Sequence, residues 1–350
     1  MKVLISGASV AGPALAYWLH RHGFEVTVVE RAPAPRDSGY AVDFRGAAFD
    51  VLDGMGILEE VRGHETMMRG TDLVDEEGRK TGELPAEAFA GDLEVPKREL
   101  TRILYRLTEG DVRYVFGDSI SRIDQDDSGA RVEFERGEPG VYDLVVGADG
   151  VYSTVRRLAF GPHERFVRHL GMSGVGFTTA NHLALDHRGV LQTAQGRAVY
   201  LFSAADADRM TVSMSFGTDS AELDLMERDR QEEVVRERMA GAGWVVPRLV
   251  EDMAAASDFL FSSACQVEME RWSDGRVVLV GDAGYCAAPT SGMGTSQALI
   301  GAHTLARHLA ASAASAGGHA AAFQAYEEEL RPYVLENQKH GREAVAMFGG

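Results

Sequence analysis

The sequence predicts an α/β fold in which a parallel sheet flanked by helices is interleaved with a second region built mainly on β-sheet. Three observations carry this prediction: a strand, turn, helix and strand open the chain, two later apolar strands each end in a small-residue turn with an aspartate, and the middle stretch is rich in short strands. At 350 residues, with 45% hydrophobic and 25% charged side chains, the chain is long enough for one composite unit or two domains.

The N-terminal segment is a predicted βαβ unit. Val3 to Ile5 is the apolar centre of a strand, and Gly7 to Gly12 is a turn of small residues. Pro13 to His22 then has helical periodicity, and Phe24 to Glu30 alternates as a β-branched strand. A helix between two strands is the crossover that parallel pairing requires.

The next stretch is predicted to change from loop to helix to short strands. Arg31 to Gly46 is rich in Pro, Gly and charge, which indicates an irregular loop, and Ala47 to Val61 has helical spacing. Arg98 to Thr108 is a second predicted helix with one apolar face. The strands after it suit a meander, and they are Val112 to Phe116, Ser119 to Ile123, Arg131 to Phe134 and Tyr142 to Val146.

From about Phe166 to Val267 the pattern changes to a separate sheet layer followed by a polar helix at Leu223 to Met239. Its predicted strands are Gly171 to Thr179, Gly189 to Thr193, Ala198 to Ser203 and Met210 to Ser215. The parallel region then resumes with a strand at Arg276 to Val280, a helix at Gly292 to Ala311, a small-residue linker at Ser312 to Gly318 and a helix at Ala320 to Met347.

Composition and charge exclude several classes of function. A formal net charge of -18 repels phosphate backbones and anionic lipid, so we expect neither nucleic acid nor membrane as a partner. The first residues form a strand rather than a secretion signal, and no apolar run is long enough to span a bilayer, so we expect a cytoplasmic protein. Cys265 and Cys286 are too few for a disulfide framework, and the histidines lack metal-binding spacing, so no metal site is expected.

The first chemical motif is the glycine-rich turn between the first strand and the first helix. Gly7 permits the tight turn, the small side chain of Ser9 lets backbone amides approach a pyrophosphate, and Gly12 allows close packing. Glu30 follows roughly twenty residues further on, where a carboxylate can accept hydrogen bonds from a ribose diol. The pattern favours a Rossmann-like dinucleotide site, with a plain glycine-rich turn as the alternative. Its residues are Gly7, Ser9, Val10, Ala11, Gly12, Glu30 and Arg31.

Two later strands also end in an aspartate. Leu144 to Ala148 leads into Asp149 and Gly150, although a buried strand with an ordinary Asp-Gly turn has the same pattern. The strand before Gly281 and Asp282 leads to a small-residue helix start, where a carboxylate could bind a polyol chain and free amides could stabilise negative charge on a bound ring. The residues of this third motif are Gly281, Asp282, Pro289, Gly292, Met293, Gly294 and Thr295.

Together, the three motifs in this order resemble the FAD monooxygenase family of para-hydroxybenzoate hydroxylase, which includes polyketide hydroxylases and tetracycline-inactivating enzymes. The resemblance covers essentially the whole chain, although residues 166–267 match in their general pattern of strands and not in a sequence motif. It implies a Rossmann-like FAD-binding domain with a C-terminal helix at residues 1–70, 96–165 and 270–350. The β-sheet-based substrate-binding domain would comprise residues 71–95 and 166–269.

The resemblance also implies how the motif residues share the cofactor. The N-terminal motif would hold the ADP half, Asp282 the ribityl chain, and Gly292 to Thr295 the pyrimidine end of the flavin. Asp149 and Gly150 match a motif associated with both FAD and nicotinamide use. Other matched positions are Pro289 beside the reacting face of the flavin and Asp43, Arg45 and Gly46 in a loop that reaches its edge. Where the family shows Arg-x-x-Leu, this chain has Lys97 with Arg98 beside it, and either could contact the flavin.

The implied chemistry belongs to the cofactor, so no catalytic side chain is expected. NAD(P)H would reduce FAD as a transient co-substrate, molecular oxygen would add to the reduced ring, and the flavin hydroperoxide would hydroxylate an aromatic or polyketide-like small molecule. The alternatives are an epoxidase or Baeyer–Villiger enzyme, a non-redox cyclase or isomerase, and a flavoprotein that only binds a ligand. The sequence does not indicate an oligomeric state.

A stripe of large apolar residues in the middle region is the candidate wall of the substrate site. These residues lie on predicted strands and alternate with smaller or polar neighbours, although ordinary core gives the same pattern. They are Phe177, Tyr200, Phe202, Met214 and Phe216. Cys286, in the loop that would face the flavin, is interpreted as a small apolar filler.

Overall fold

A computed structural model describes residues 1–35, 41–86, 91–204, 208–312 and 318–347. Its strands are β1 (Lys2–Ser6), β2 (Glu25–Glu30), β3 (Ala41–Phe44), β4 (Thr71–Val74), β5 (Lys80–Leu84), β6 (Leu93–Pro96), β7 (Arg113–Phe116), β8 (Ile120–Asp126), β9 (Gly129–Phe134), β10 (Gly140–Tyr142), β11 (Leu144–Gly147), β12 (Val167–Ala180), β13 (Arg188–Ala194), β14 (Arg197–Ser203), β15 (Arg209–Gly217), β16 (Leu260–Val267), β17 (Ser273–Asp274) and β18 (Val277–Leu279). Its helices are α1 (Ala11–Arg21), α2 (Ala48–Gly54), α3 (Leu58–Arg62), α4 (Lys97–Thr108), α5 (Thr154–Ala159), α6 (Arg228–Met239), α7 (Val246–Ala255), α8 (Asp282–Tyr285), α9 (Gly294–Ser312) and α10 (Gly318–Met347).

The first sheet has the strand order β17-β18-β11-β1-β2-β7. The neighbours from β18 to β7 pair in parallel, which confirms the predicted βαβ unit formed by β1, α1 and β2. Val3, Leu4 and Ile5 are fully buried, as expected for the centre of a sheet that is covered on both faces. The carboxyl ends of β1, β11 and β18 therefore lie side by side, which is where ligands bind in open α/β sheets.

Three local expectations about the first half of the chain are wrong. The segment predicted as an irregular loop contains β3, which pairs with β6, while residues 36–40 lie outside the described part of the chain. The helix predicted from Ala47 to Val61 is two helices, because Gly56 adopts a φ of 74° between α2 and α3. The four strands predicted as a meander belong to two sheets, since β7 and β11 join the first sheet and β8 to β10 form their own.

The second large sheet has the order β16-β12-β15-β14-β13-β4-β5. The strands predicted in the middle region are confirmed as β12 to β15, whereas the pattern missed β16 and α7. The helix expected from Leu223 begins later, as α6 at Arg228, after a 3-10 turn at Glu222–Leu225. One face of this sheet packs against α6 and α7 in a second apolar core, which includes Val235, Leu249 and Met253.

The C-terminal segment returns to the first core. α9 contacts α1 and α10, and α10 also reaches the 3-10 turn Pro289–Ser291. The two helices confirm the helical predictions for this region, while residues 313–317 of the expected linker lie outside the described part. No helix within the described ranges is long and apolar enough to cross a membrane.

Candidate cofactor and substrate site

The turn between β1 and α1 leaves no room for side chains. Gly7 has a φ of 109°, and a Cβ there would lie 2.4 Å from the carbonyl oxygen of Ala148. A Cβ on Gly12 would lie 1.9 Å from the carbonyl oxygen of Gly7. α1 starts after Val10 with no side-chain cap and no acidic residue in its first turn. The helix start therefore presents backbone N–H groups and its positive dipole end to a bound anion.

The end of β2 lies at the same turn. Glu30 accepts hydrogen bonds from the backbone N–H of Ala8 at 2.8 Å and of Ala32 at 2.9 Å. Ser9 is half-buried beside it, and Arg31 is exposed. The structure thus brings the predicted ribose-binding carboxylate next to the predicted pyrophosphate-binding turn.

Asp149 is half-buried next to this turn, and its carboxylate accepts a hydrogen bond from the Ser6 hydroxyl at 3.3 Å. Its carboxylate accepts hydrogen bonds from the Ser153 hydroxyl at 2.5 Å and from the backbone N–H of Thr154 at 2.9 Å, so it caps α5. Gly7 packs against Ala148 and Asp149, which couples the Asp-Gly segment to the glycine-rich turn. Burial raises the pKa of Asp149, opposed by these hydrogen bonds. In this arrangement the side chain links the end of β1 to the start of α5.

Arg156 on α5 connects that helix to the third motif. Its guanidinium is fully buried and donates to the carbonyl oxygens of Ala283 at 2.8 Å and Val151 at 2.5 Å. Burial lowers its pKa to about 10. The side chain therefore ties the Asp-Gly segment to the start of α8.

The third motif packs at Gly281 against the start of α1. Gly281 has a φ of 64°, and a Cβ there would lie 3.1 Å from the Cβ of Ala11. Burial raises the pKa of Asp282 and the nearby charge of Lys97 lowers it. Arg98 is instead exposed and donates to Glu99 at 3.1 Å. Of the two basic residues predicted for this site, the structure places Lys97 on the side of Asp282.

The loop after α8 leads to the start of α9. Gly292 is left-handed with a φ of 63°, Pro289 is exposed, and Met293 donates its N–H to the Ser291 hydroxyl at 3.1 Å. A Cβ on Gly294 would lie 3.9 Å from the carboxylate of Asp282. Gly292, Met293, Gly294 and Thr295 are half-buried. We call the run of motif residues from Gly7 past Gly281 and Asp282 to Thr295 the cofactor groove.

An acidic pair lies near the Gly292 end of the cofactor groove. Asp43 on β3 is the register partner of Glu94 on β6, and a Cβ on Gly292 would lie 3.3 Å from the Asp43 carboxylate. Burial, and secondly the charge of Glu94, raises the pKa of Asp43 to about 7, while Arg45 opposes the shift. Burial also raises the pKa of Glu94, which accepts a 2.5 Å hydrogen bond from Thr66. Arg45 donates its backbone N–H to Ser296 on α9 at 3.1 Å.

The five candidate wall residues lie on opposite faces of the second sheet. Phe177, Met214 and Phe216 belong to the core beneath α6 and α7. Tyr200 and Phe202 stack with ring centroids 5.4 Å apart on the other face. Burial raises the pKa of Tyr200 to about 12, with smaller contributions from Glu94 and Asp43. Only this second group faces the acidic pair.

A cavity of 390 Å³ opens beside the acidic pair. Its volume falls in the range of about 300–1,000 Å³ that is usual for small-molecule sites. The lining residues are Arg45, Glu65, Thr66, Met67, Met68, Ala86, Gly91, Asp92 and Glu94. Among the residues that the structure describes, no group of three or more His, Cys, Asp or Glu side chains could hold a metal ion.

The groove fits an extended flavin dinucleotide. The cradle at Gly7 and Gly12 would be filled by any Cβ, the start of α1 has no side-chain cap, and a second long helix starts at the far end. Residues 1–339 match the sequence pattern of the FAD binding domain family. The chain belongs to this family of flavoproteins.

Relatives of this flavoprotein extend over nearly its whole length. A flavin-dependent monooxygenase from an unknown prokaryotic organism is 37% identical over 344 residues, which are 97% of this chain and 88% of the relative. A protein of Mycobacterium tuberculosis strain H37Rv without a known function is 42% identical over 342 residues, 96% of this chain and 91% of the relative. The crystal structure of the tetracycline destructase Tet(51) has 35% identity and a TM-score of 0.91, covering 99% of this chain and 91% of that one. The chain is thus a member of the flavin-dependent monooxygenases.

Sequence reasoning missed residues of the flavoprotein's site that no motif marks. Glu94 lies opposite Asp43 only because β6 pairs with β3, across a long separation in the chain. Gln266 and Gln338, fully or almost fully buried, contact the loop before Pro289. A glutamine at an otherwise apolar position of a strand or helix is a signal for such a contact, since buried amides require partners.

Proposed function

We propose that this FAD-dependent monooxygenase is reduced by NAD(P)H and uses molecular oxygen to hydroxylate an aromatic or polyketide-like small molecule. The observation that carries the proposal is that the cofactor groove and the cavity meet at one place, the β3–β6 pair with Asp43, Arg45 and Glu94. A substrate in the cavity would therefore lie against the redox-active end of the cofactor. The similarity to a tetracycline destructase supports a flat, fused-ring substrate class.

We assign the residues of the groove to successive parts of FAD. Gly7, Ser9 and Gly12, with the backbone of Val10 and Ala11, would hold the pyrophosphate, and Glu30 with Arg31 would lie at the adenosine ribose. Asp282, with Gly281 and Lys97, would bind the ribityl chain. The pyrimidine end would meet the backbone amides of Gly292, Met293, Gly294 and Thr295, where the helix start favours negative charge.

When bound, FAD supplies the electron transfer from NAD(P)H and the activation of dioxygen. The chain's own residues bind, orient and exclude water. Tyr200 lies on the sheet face towards the acidic pair, and its hydroxyl, 3.5 Å from that of Thr71, would be a hydrogen-bond donor on that side. Asp43, with a pKa of about 7, can hold or release a proton at the flavin edge near neutral pH.

Three further assignments belong to the same proposal. The FAD-binding region comprises residues 1–70, 96–165 and 270–350, and the substrate region residues 71–95 and 166–269, with β6 at the boundary. Tyr200 and Phe202 form the substrate wall, while Phe177, Met214 and Phe216 support the sheet from behind. Pro289 lies beside the reacting face, and the protein acts in the cytoplasm.

An anaerobic NADPH titration of the purified holoprotein tests this function. The bound cofactor is identified by chromatography, and the visible flavin absorption is followed with and without aromatic ligands. We expect FAD that bleaches, and that bleaches faster with a suitable ligand. Re-oxidation under ¹⁸O₂ should then add one labelled oxygen atom to that ligand, detected by mass spectrometry.

The alternatives give different results in the same experiment. Oxygen insertion next to a ketone or across an alkene would indicate a Baeyer–Villiger enzyme or an epoxidase. FAD that stays oxidised with every ligand, and no ¹⁸O in any product, would contradict the proposal and favour a non-redox cyclase, isomerase or binding protein. The free cofactor mixed with the same ligands serves as the control.

A further inference from the structure

Three successive carbonyl groups before Pro289 are each held by a side-chain amide. The carbonyl oxygen of Tyr285 accepts from Gln297 at 2.7 Å, that of Cys286 from Gln338 at 3.3 Å, and that of Ala287 from Gln266 at 3.1 Å. The three amide side chains are at most 4% exposed. Since buried carbonyls and amides are costly when unpaired, the bonds fix three consecutive peptide planes.

The C-terminal helix α10 connects these amides. Gln338 belongs to α10, and its backbone carbonyl accepts from Gln266 at 2.6 Å. Asn337 donates to the side-chain oxygen of Gln297 at 2.9 Å, and Arg342 donates to that of Gln266 at 2.7 Å. β16, α9 and the loop before Pro289 are therefore joined through one turn of α10 and its neighbours.

α10 also approaches the loop without a side chain between them. A Cβ on Gly341 would lie 2.1 Å from the carbonyl oxygen of Ala287. The carbonyl oxygen of Gly341 accepts from the Thr290 hydroxyl at 2.9 Å. The helix backbone thus lies directly against the peptide group that precedes Ala288.

Ala288 has a backbone conformation that only glycine adopts easily. Its φ is 75° and its ψ is 150°, and the residue is 3% exposed. A residue keeps such a strained conformation only where several surrounding contacts hold it in place. The held carbonyl of Ala287 fixes the peptide plane before Ala288, and Thr290 is held two residues later.

We propose that Gln338 and Gln266 are positioning residues that hold residues 286–292 in the conformation which receives the flavin. Release of the Ala287 carbonyl would let Ala288 relax to a negative φ, and this rotation would displace Pro289 and the amides at Gly292 to Thr295. The inference rests on the proposed placement of the flavin at the start of α9. It adds that the C-terminal helix sets FAD affinity without touching the cofactor.

The first test compares Gln266→Met with Gln231→Met in the full chain, because the Gln266 amide is the donor that holds the Ala287 carbonyl. Gln231 is a matched control, because it is 7% exposed and donates to the backbone carbonyl of Leu223 at 2.8 Å, away from the groove. Apoprotein is titrated with FAD by flavin fluorescence, and the melting temperature of each apoprotein is recorded. We expect Gln266→Met to weaken FAD binding about tenfold, and Gln231→Met to leave it within about twofold.

A double-mutant cycle with Ala288→Gly separates positioning from general destabilisation. Glycine adopts the positive φ without strain, so the loop needs less restraint. The effect of Gln266→Met on FAD binding should then fall to about threefold or less in the Ala288→Gly background, which is the coupling that contacting groups show. An unchanged effect in that background would overturn the proposal.

Gly341→Ala is the second test if Gln266→Met fails to fold. Its methyl group pushes on the Ala287 carbonyl, so FAD binding should weaken about tenfold or more. Lys339→Ala, on the exposed side of α10, is the control. Wild-type FAD affinity in Gly341→Ala or in a folded Gln266→Met would overturn this inference alone, whereas a wild-type protein that binds no FAD would refute the proposed function.

Discussion

Lys97 and Arg98 are neighbours with the same charge sign, yet they have different surroundings. The charge of Lys97 acts on Asp282, whereas Arg98 is exposed and pairs with Glu99. Exposed ion pairs contribute little to stability or binding, while a partly buried charge at a binding site contributes more.

We therefore predict that Lys97→Ala weakens FAD binding about tenfold and Arg98→Ala changes it less than about twofold. Both Kd values are measured by fluorescence titration of the apoprotein. Equal losses in the two variants would show that neither charge is specific to the groove.

Asp43 makes the stability of the apoprotein depend on pH. Its pKa is about 7 in the folded state against an ordinary value of 3.8, because of burial and then the charge of Glu94, with Arg45 opposing. The folded state therefore holds the proton more tightly than the unfolded state. The stabilisation from the protonated form is present below about pH 4 and is lost as the pH rises to about 7.

Asp43→Asn removes this dependence. At pH 8 the variant should be more stable than wild type by about 1 kcal/mol or more, which raises the melting temperature by roughly 1 °C or more, and at pH 4 the two should be similar. Thermal unfolding of the apoproteins between pH 4 and 8 checks this. Asp92→Asn, an exposed position on the same edge, is the control and should follow the wild-type curve.

At the scale of the element, the β1–α1 turn depends on its glycines, because it has no space for a Cβ atom. A Cβ on Gly12 would overlap the carbonyl oxygen of Gly7 at 1.9 Å, so Gly12→Ala must move either the turn or the helix. We predict a protein that purifies without FAD and melts lower by several degrees. Absorbance at 450 nm relative to 280 nm measures the retained cofactor.

Gly110→Ala is the matched control for this prediction. No atom lies within 4 Å of a Cβ at Gly110, so the substitution should leave FAD content unchanged. Full FAD occupancy in Gly12→Ala would show that the turn does not form the dinucleotide cradle.

Elements with strong local patterns could be predicted from the sequence, and those set by distant pairing could not. The periodicity of β1, α1 and β2 is local and was sufficient. The break between α2 and α3 depends on the positive φ of Gly56, for which a helical hydrophobic spacing gives no sign. β7 to β11 follow one another in the chain like a meander, yet sheet membership depends on β1 and β2, far away in sequence.

At the scale of the whole molecule, a net charge of -18 opposes the approach of an anionic co-substrate. Salt screens this repulsion, since the Debye length falls from about 30 Å at 0.01 M to about 8 Å at 0.15 M. We predict that the second-order rate of flavin reduction by NADPH rises several-fold over this range, measured by anaerobic stopped flow.

An uncharged dihydronicotinamide reductant provides the control, because its rate should not change with salt. A rate with NADPH that falls as salt is added would mean that a local positive field, for example around Lys97 and Arg45, outweighs the net charge.

Residues of the candidate site could be predicted where they directly follow a strand in the sequence. They could not be predicted where distant segments of the chain come together only in the fold. Gly7, Asp282 and Gly292 follow recognisable strand-turn-helix patterns. Glu94 and Gln338 reach the site through pairing and helix packing that a single sequence does not record. The alternating stripe does not indicate which side of the sheet faces the acidic pair, so the predicted wall combined Tyr200 with the core residue Phe177.

The strand order of the first sheet also determines at what stage of synthesis the cofactor groove can form. β18 lies beside β11 in the sheet, yet the chain between Gly147 and Val277 forms most of the second sheet. On the ribosome, β1, β2, β7 and β11 emerge well before their last parallel neighbour, and α10 emerges after it. The nascent chain therefore exposes an unpaired edge at β11 until β18 has been made, and flavin capture follows the synthesis of β18.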